Sequence, residues 1–176
     1  MTMYADTPPR AAPLPAERSA DTLRRAIFAA LTVFFLLVQT QGLFEHWLYG
    51  HHGWTGARRS IACLNYDRHG FLATGFGPAE NFGSERPKQF QFYWHHPVLV
   101  NVLVGVTAKM FGPAPWAARL VPLACSLITF LWLTGLAFRH LGWLGGLTAG
   151  LALTLLPLHG FYGKMVNHEP LVLMAG

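Results

Sequence analysis

Residues 120–138 read LVPLACSLITFLWLTGLAF, nineteen residues without a charge. As a helix this stretch covers about 28 Å, close to the thickness of a bilayer's hydrocarbon core. Two more uncharged runs flank it in sequence, residues 26–44 and residues 141–158. Charged residues make up 12% of the chain, where a soluble domain carries about 25%, and the shortage is concentrated in these runs. Three runs of near-spanning length predict an all-α integral membrane protein rather than a soluble one with buried helices. The net charge of +5 is therefore read through membrane topology, and no nucleic-acid partner is inferred from it.

Outward from that core, the flanks set the topology. Residues 1–25 are rich in Pro and Ala (TPPR, APLPAER) and read as a disordered cytoplasmic tail. Arg10, Arg18, Arg24 and Arg25 keep that side in the cytoplasm. The apolar run that follows leads into QTQGLFEHW, which has no small-x-small cleavage site, so it reads as an uncleaved anchor. Residues 45–115 then form an outer loop, whose first part, residues 45–96, holds six of the nine histidines and four of the eight acids. Within it, GARRSIACLNYDRH (56–69) predicts an amphipathic helix stopped by Gly70, and residues 75–92 read as irregular. PVLVNVLVGVTAKMF (97–111) is short for a span. Reading it as a span would also place Arg139 and His140 outside, so it is taken as an interfacial helix. Spans at about 116–138 and 143–158 follow, joined by a tight inner turn. An outer loop at 159–169 leads to a fourth span starting at 170. That last run is too short to cross, so the chain is expected to be a fragment of a longer protein. Cys63 and Cys125 lack metal or redox spacing.

This topology gathers His46, His51, His52, Asp67, His95, His96, His159, His168 and Glu169 on one face. Glu169 stands directly before Pro170 at the edge of a span. An acid at that depth is a functional candidate, or it serves the dipole of the next helix. His168 and Asn167 either assist it or are simple loop residues. His95 and His96, within YWHHPVL, can ligate a metal, bind phosphate or move protons. They can equally be interfacial polar residues beside Tyr93 and Trp94. Arg58, Arg59, Arg68, Arg86, Lys88 and Lys164 also fall outside, against the usual bias. Either an anionic ligand or lipid head groups would account for them. Arg119, near the outer end of the second span, can snorkel to the interface or pair with Glu169. Gly145–Gly146 reads as a helix-packing surface.

In order and spacing, His95-His96-Pro97-Val98-Leu99, Phe111-Gly112, Trp116-Ala-Ala-Arg119-Leu120 and Glu169-Pro170-Leu171 resemble the membrane glycosyltransferases of the C-type fold. The resemblance is closest to family 39, which includes the protein O-mannosyltransferases and lipid A aminoarabinose transferases. It runs from about residue 26 to the end. It implies transfer of a sugar from a polyprenyl-phosphate donor, at the outer face of the cell (inner) membrane, to an acceptor the sequence does not name. A divalent metal ion is left open. Catalytic roles would fall to Glu169, His52 and Asp67, and substrate binding to His95, His96, Arg58, Arg59, Arg119, Lys164 and His168. The family's Asp-Glu pair after the first span is missing. His51-His52-Gly53-Trp54-Thr55 stands there instead, with Glu45 too early and Asp67 too late, so His52 is the candidate base. The second proline of the His-Pro-Pro-Leu string is replaced by Val98. The alternative reading is a transporter or non-catalytic membrane subunit.

Overall fold

A computed structural model of the chain describes residues 15–47, 50–81, 89–94 and 98–175. These form seven helices: α1 (Pro15–Gln39), α2 (His51–His69), α3 (Leu99–Phe111), α4 (Pro115–His140), α5 (Gly142–Leu155), α6 (Pro157–Tyr162) and α7 (Glu169–Ala175). An isolated antiparallel bridge joins Ala79 to Phe92, and no strand occurs among the described residues. The all-α expectation holds.

α4 is the hub. Its 26 residues extend about 39 Å, and α1, α2, α3, α5 and α7 all pack on it. Along its C-terminal part, Phe130 stacks on Phe35 of α1 with ring centroids 4.3 Å apart, in a core completed by Leu31. Leu147 and Leu151 of α5 close that core from the other side. Around its N-terminal part, Ala118 and Val121 meet Cys63 of α2, Val100 and Val104 of α3, and Val166. One helix thus carries a three-helix bundle at one end and a helical cap at the other.

The packing on α5 puts small residues inside and large ones outside. Its buried residues are Gly146, Gly150 and Thr154, spaced by four along one face. A Cβ at Gly146 would lie 2.3 Å from the Phe138 ring, and one at Gly150 would lie 2.8 Å from Leu31 Cδ1. Both glycines therefore let neighbouring side chains approach the backbone. The sequence pointed to Gly145–Gly146 as the packing surface; the stripe is centred one turn further on.

Several boundaries differ from expectation. Residues 15–25, read as part of a disordered tail, form the start of α1. The segment AERSADTLRR is rich in helix formers, and Asp21 pairs with Arg25 one turn on, at 2.9 Å. Residues 1–14 lie outside the described residues. α1 stops at Gln39, and residues 40–44 of the expected first span are a turn. α2 starts at His51, five residues earlier than the amphipathic pattern suggested, and ends as expected at Gly70 (φ 82°), whose N–H bonds Tyr66 O. The expected third span ends at Leu155, because Pro157 has no N–H to continue α5 but suits the first turn of α6. Part of the expected outer loop 159–169 is thereby helical. Three spans were expected. Among the described residues one helix, Pro115–His140, is both long and apolar enough to cross a membrane; Leu99–Phe111 and Gly142–Leu155 are shorter apolar helices.

Candidate functional site

At the end of the bundle where α1 finishes and α4 begins, the chain makes a sharp turn at Gly42 (φ 73°). The following loop is pinned by Arg119 of α4. Its guanidinium donates to the main-chain carbonyls of Leu43 at 2.7 Å, Glu45, and His46 at 3.5 Å. It also lies over the Trp47 ring, 4.4 Å from the centroid. Trp47 in turn packs against Gly56 of α2, where a Cβ would sit 2.2 Å from the ring. Its indole N–H donates to Ser60 Oγ at 3.0 Å. Arg119, expected to bind substrate, snorkel or pair with Glu169, is thus the strap that holds residues 43–47 between α2 and α4.

The strapped loop forms one wall of a cavity of about 340 Å³, a size typical of small-molecule sites. Three of the expected site residues meet there from three parts of the chain: His52, Arg119 and Lys164. Gln39, Glu45 and His46 line it too. Lys164 Nζ donates to Gln41 O at 3.3 Å, and an ammonium has three protons to give. His52 packs edge-on against Phe161, centroids 4.2 Å apart. Burial, then the neighbouring Lys164 and His51, push its pKa below the usual histidine value, against a smaller opposing effect of the Phe161 carbonyl. A neutral imidazole is therefore favoured, with a lone pair on one ring nitrogen that can accept a proton.

The first turn of α2 separates this cavity from a second space of about 70 Å³. His52 and Gly53 face the first, while His51, Trp54, Thr55, Arg58 and Arg59 face the second. Both arginines expected to bind phosphate are engaged by the protein. Arg58 lies between the Trp54 and Tyr93 rings, at 4.4 and 4.2 Å, and is ion-paired with Glu80. Arg59 is buried and donates to Asn101 Oδ1 at 2.8 Å and Asn167 Oδ1 at 3.4 Å. Burial pushes its pKa down, with Glu80 opposing, but a guanidinium stays charged. It ties α2 to α3 and to the loop before α7.

That loop carries the remaining pair. Asn167 Nδ2 donates to Glu169 Oε1 at 3.1 Å, and His168 Nδ1 lies 2.9 Å from Asn167 Oδ1 and 3.9 Å from Glu169 Oε2. Glu169 opens α7, where a carboxylate favours the helix dipole, and it lines neither cavity. Asp67 is exposed near the far end of α2. Fifteen residues of helix set it about 22 Å from His52, so the two do not share a site. His95 and His96 lie outside the described residues. Among the described residues, no group of three or more His, Cys, Asp or Glu could hold a metal ion. Cys63 and Cys125 are both free and buried.

Sequence reasoning missed Gln39 and set Glu45 aside. Each is a single residue just beyond an apolar run, and no spacing links it to Lys164. The signal available was Gly42 between them, which marks a reversal that returns Glu45 towards the helix end. No protein-family model, curated protein or solved structure matches the chain.

Proposed function

We propose that this chain belongs to a multi-span membrane glycosyltransferase of the C-type fold. In this reading it transfers a sugar from a polyprenyl phosphate to an acceptor at the outer face of the cell membrane. α1 and α4 would span, with the N-terminus in the cytoplasm; α5, whose 14 residues fall short of a full crossing, would return towards the outer interface, where α2, α3 and α6 would lie. Supporting the membrane part are the large apolar side chains turned outward on α1, α4 and α5: Val33, Phe34 and Leu37, then Ile128, Trp132 and Leu133, then Trp143, Leu144 and Leu155. In lipid such side chains need no burial, while glycines at the helix contacts gain close packing.

The observation that carries the functional part is the 340 Å³ cavity at one end of that apolar bundle, which gathers His52, Lys164 and Glu45. In the proposed reaction the acceptor hydroxyl attacks the anomeric carbon. The bond from that carbon to the phosphate oxygen breaks, and polyprenyl phosphate leaves. Lys164 stabilises the departing phosphate by charge-assisted hydrogen bonding. His52, held neutral, takes the hydroxyl proton, and Glu45 is the one acid lining the same cavity among the described residues. Glu169 and Asp67, assigned catalysis by resemblance, then act at most through the placement of the loop before α7 and of α2.

The test is binding of undecaprenyl phosphate to the full chain in lipid nanodiscs. Removing one charge-assisted partner costs about 1.5–3 kcal/mol, so Lys164→Ala should weaken binding by roughly ten- to a hundredfold. A wild-type chain that does not bind this lipid, or a Lys164→Ala chain that binds it equally well, would refute the assignment.

A further inference from the structure

Gln39 ends α1 and is 2% exposed, yet neither Nε2 nor Oε1 of its amide has a hydrogen-bond partner among the described residues. It belongs to the wall of the cavity that holds Lys164 and His52, and its covered amide would meet an occupant through a turn of the side chain. The nearby hydroxyls are already engaged: Ser126 Oγ donates to Gly163 O at 2.6 Å, and Thr40 Oγ1 donates to Leu36 O at 2.6 Å. A buried amide with both ends unpaired is costly to keep. Leucine or methionine would fill the same position without that cost.

The amide's chemistry narrows the occupant. Nε2 can only donate and Oε1 can only accept. A phosphate accepts and so satisfies one end. An ammonium donates and satisfies the other. A hydroxyl does both, and two neighbouring hydroxyls on a ring can meet both ends at once. Lys164, on the same cavity, is suited to the anionic part. We infer that Gln39 is the specificity-determining residue of this cavity and reads the hydroxyls of a neutral sugar whose phosphate is held by Lys164. This rests on the glycosyltransferase reading and adds the class of sugar: neutral and hydroxylated, in preference to one bearing an amine at the position Gln39 contacts.

The experiment titrates the full chain in nanodiscs, by native mass spectrometry, with undecaprenyl phosphate and with its mannosyl, glucosyl and galactosyl forms. Two added hydrogen bonds correspond to about a tenfold gain. The wild type should therefore bind at least one glycosylated form about tenfold tighter than the bare carrier, and Gln39→Leu should bring that ratio close to one. Gln39→Glu, which accepts but no longer donates, should fall between. The melting temperature separates recognition from support. Removing an unpaired amide should leave it unchanged or raise it, whereas a structural amide would lower it on Gln39→Leu. A preference that survives Gln39→Leu, a wild type with no preference, or a melting temperature that falls with the substitution overturns the inference while leaving carrier binding intact. A wild type that binds none of the four lipids removes the glycosyltransferase reading itself.

Discussion

Replacing Arg119 with Met keeps an apolar stem of similar length and removes the fork that straps residues 43–47. The bonds to Leu43 O and Glu45 O are charge-assisted, worth about 1.5–3 kcal/mol each. The third, to His46 O at 3.5 Å, is at the geometric limit and is counted as nothing. The Trp47 stacking adds about 0.5–1 kcal/mol. Glu45 and His46 are exposed, so water replaces part of what is lost, and the loss falls just below the low end of that sum, at about 3 kcal/mol. That raises the population of the opened loop by roughly a hundredfold. Hydrogen exchange reads it directly. The amides of Leu43 and Glu45 bond Thr40 O and Gly42 O inside this loop, at 3.0 and 3.2 Å. They should exchange about a hundredfold faster in Arg119→Met, while amides within α5 keep their rates. Unchanged rates at Leu43 and Glu45 would mean that Arg119 is free to bind a ligand, as the sequence suggested. Equal acceleration throughout would mean that it supports the whole bundle.

Two further outcomes follow from burial and contact. His52 should titrate below 6.5 in an NMR pH titration of the labelled imidazole, since burial and Lys164 disfavour its charged form. The linked stability is therefore fully present above 6.5 and is lost as pH falls through that value towards the folded-state pKa. His52→Gln should flatten that part of the curve, and a midpoint at or above 6.5 would contradict the proposed base. Gly146→Leu forces a side chain into the Phe138 ring and should destabilise the α4–α5 hairpin by about 1–3 kcal/mol. This would be seen as a lower melting temperature in detergent; an unchanged one would show that the close approach is not needed.

What the sequence disclosed divides by range of interaction. The apolar run of α4, the stop at Gly70 and the reversal between α4 and α5 at Gly142 (φ 74°) follow from local composition and turn chemistry, and they were legible. The start of α1 was obscured by prolines at 8, 9, 13 and 15. The last of these suits a first helical turn, and helix formers follow it. The break of α5 before Pro157 follows from the missing N–H, which the unbroken hydrophobicity of residues 141–158 masks in sequence. The site was legible only as a face. His52, expected as a catalytic residue, and Lys164, expected to bind substrate, line one cavity. Whether Arg58, Arg59 and Arg119 were free or engaged depended on partners 22, 42 and 76 residues away, which no local pattern encodes. Asp67 shares a helix with His52, and the rise per residue alone separates them.

Those engaged arginines also bear on the proposed orientation. Counted from sequence, the outer face is strongly basic and argues against placing it outside. In the fold, Arg58 is neutralised by Glu80, Arg59 is buried against two asparagines, and Arg119 is turned onto carbonyls of its own loop. At the opposite end of the bundle, Arg24, Arg25 and Arg139 line an open groove between α1 and α4, joined by Asp21, which pairs with Arg25. A charge committed to internal partners is folded with its counter-groups and is not presented to the bilayer surface. An exposed basic cluster at a helix end is what the cytoplasmic bias acts on. Arg58, Arg59 and Arg119 therefore drop out of the apparent excess of positive charge on the proposed outer side, and the exposed cluster at the α1–α4 end fits the proposed cytoplasmic N-terminus. Fusing a reporter that is active only in the cytoplasm after His140 should give signal, and the same reporter after Tyr162 should not. The reverse pattern would invert the bundle and place the Lys164 cavity on the wrong side for a lipid-linked donor presented outside.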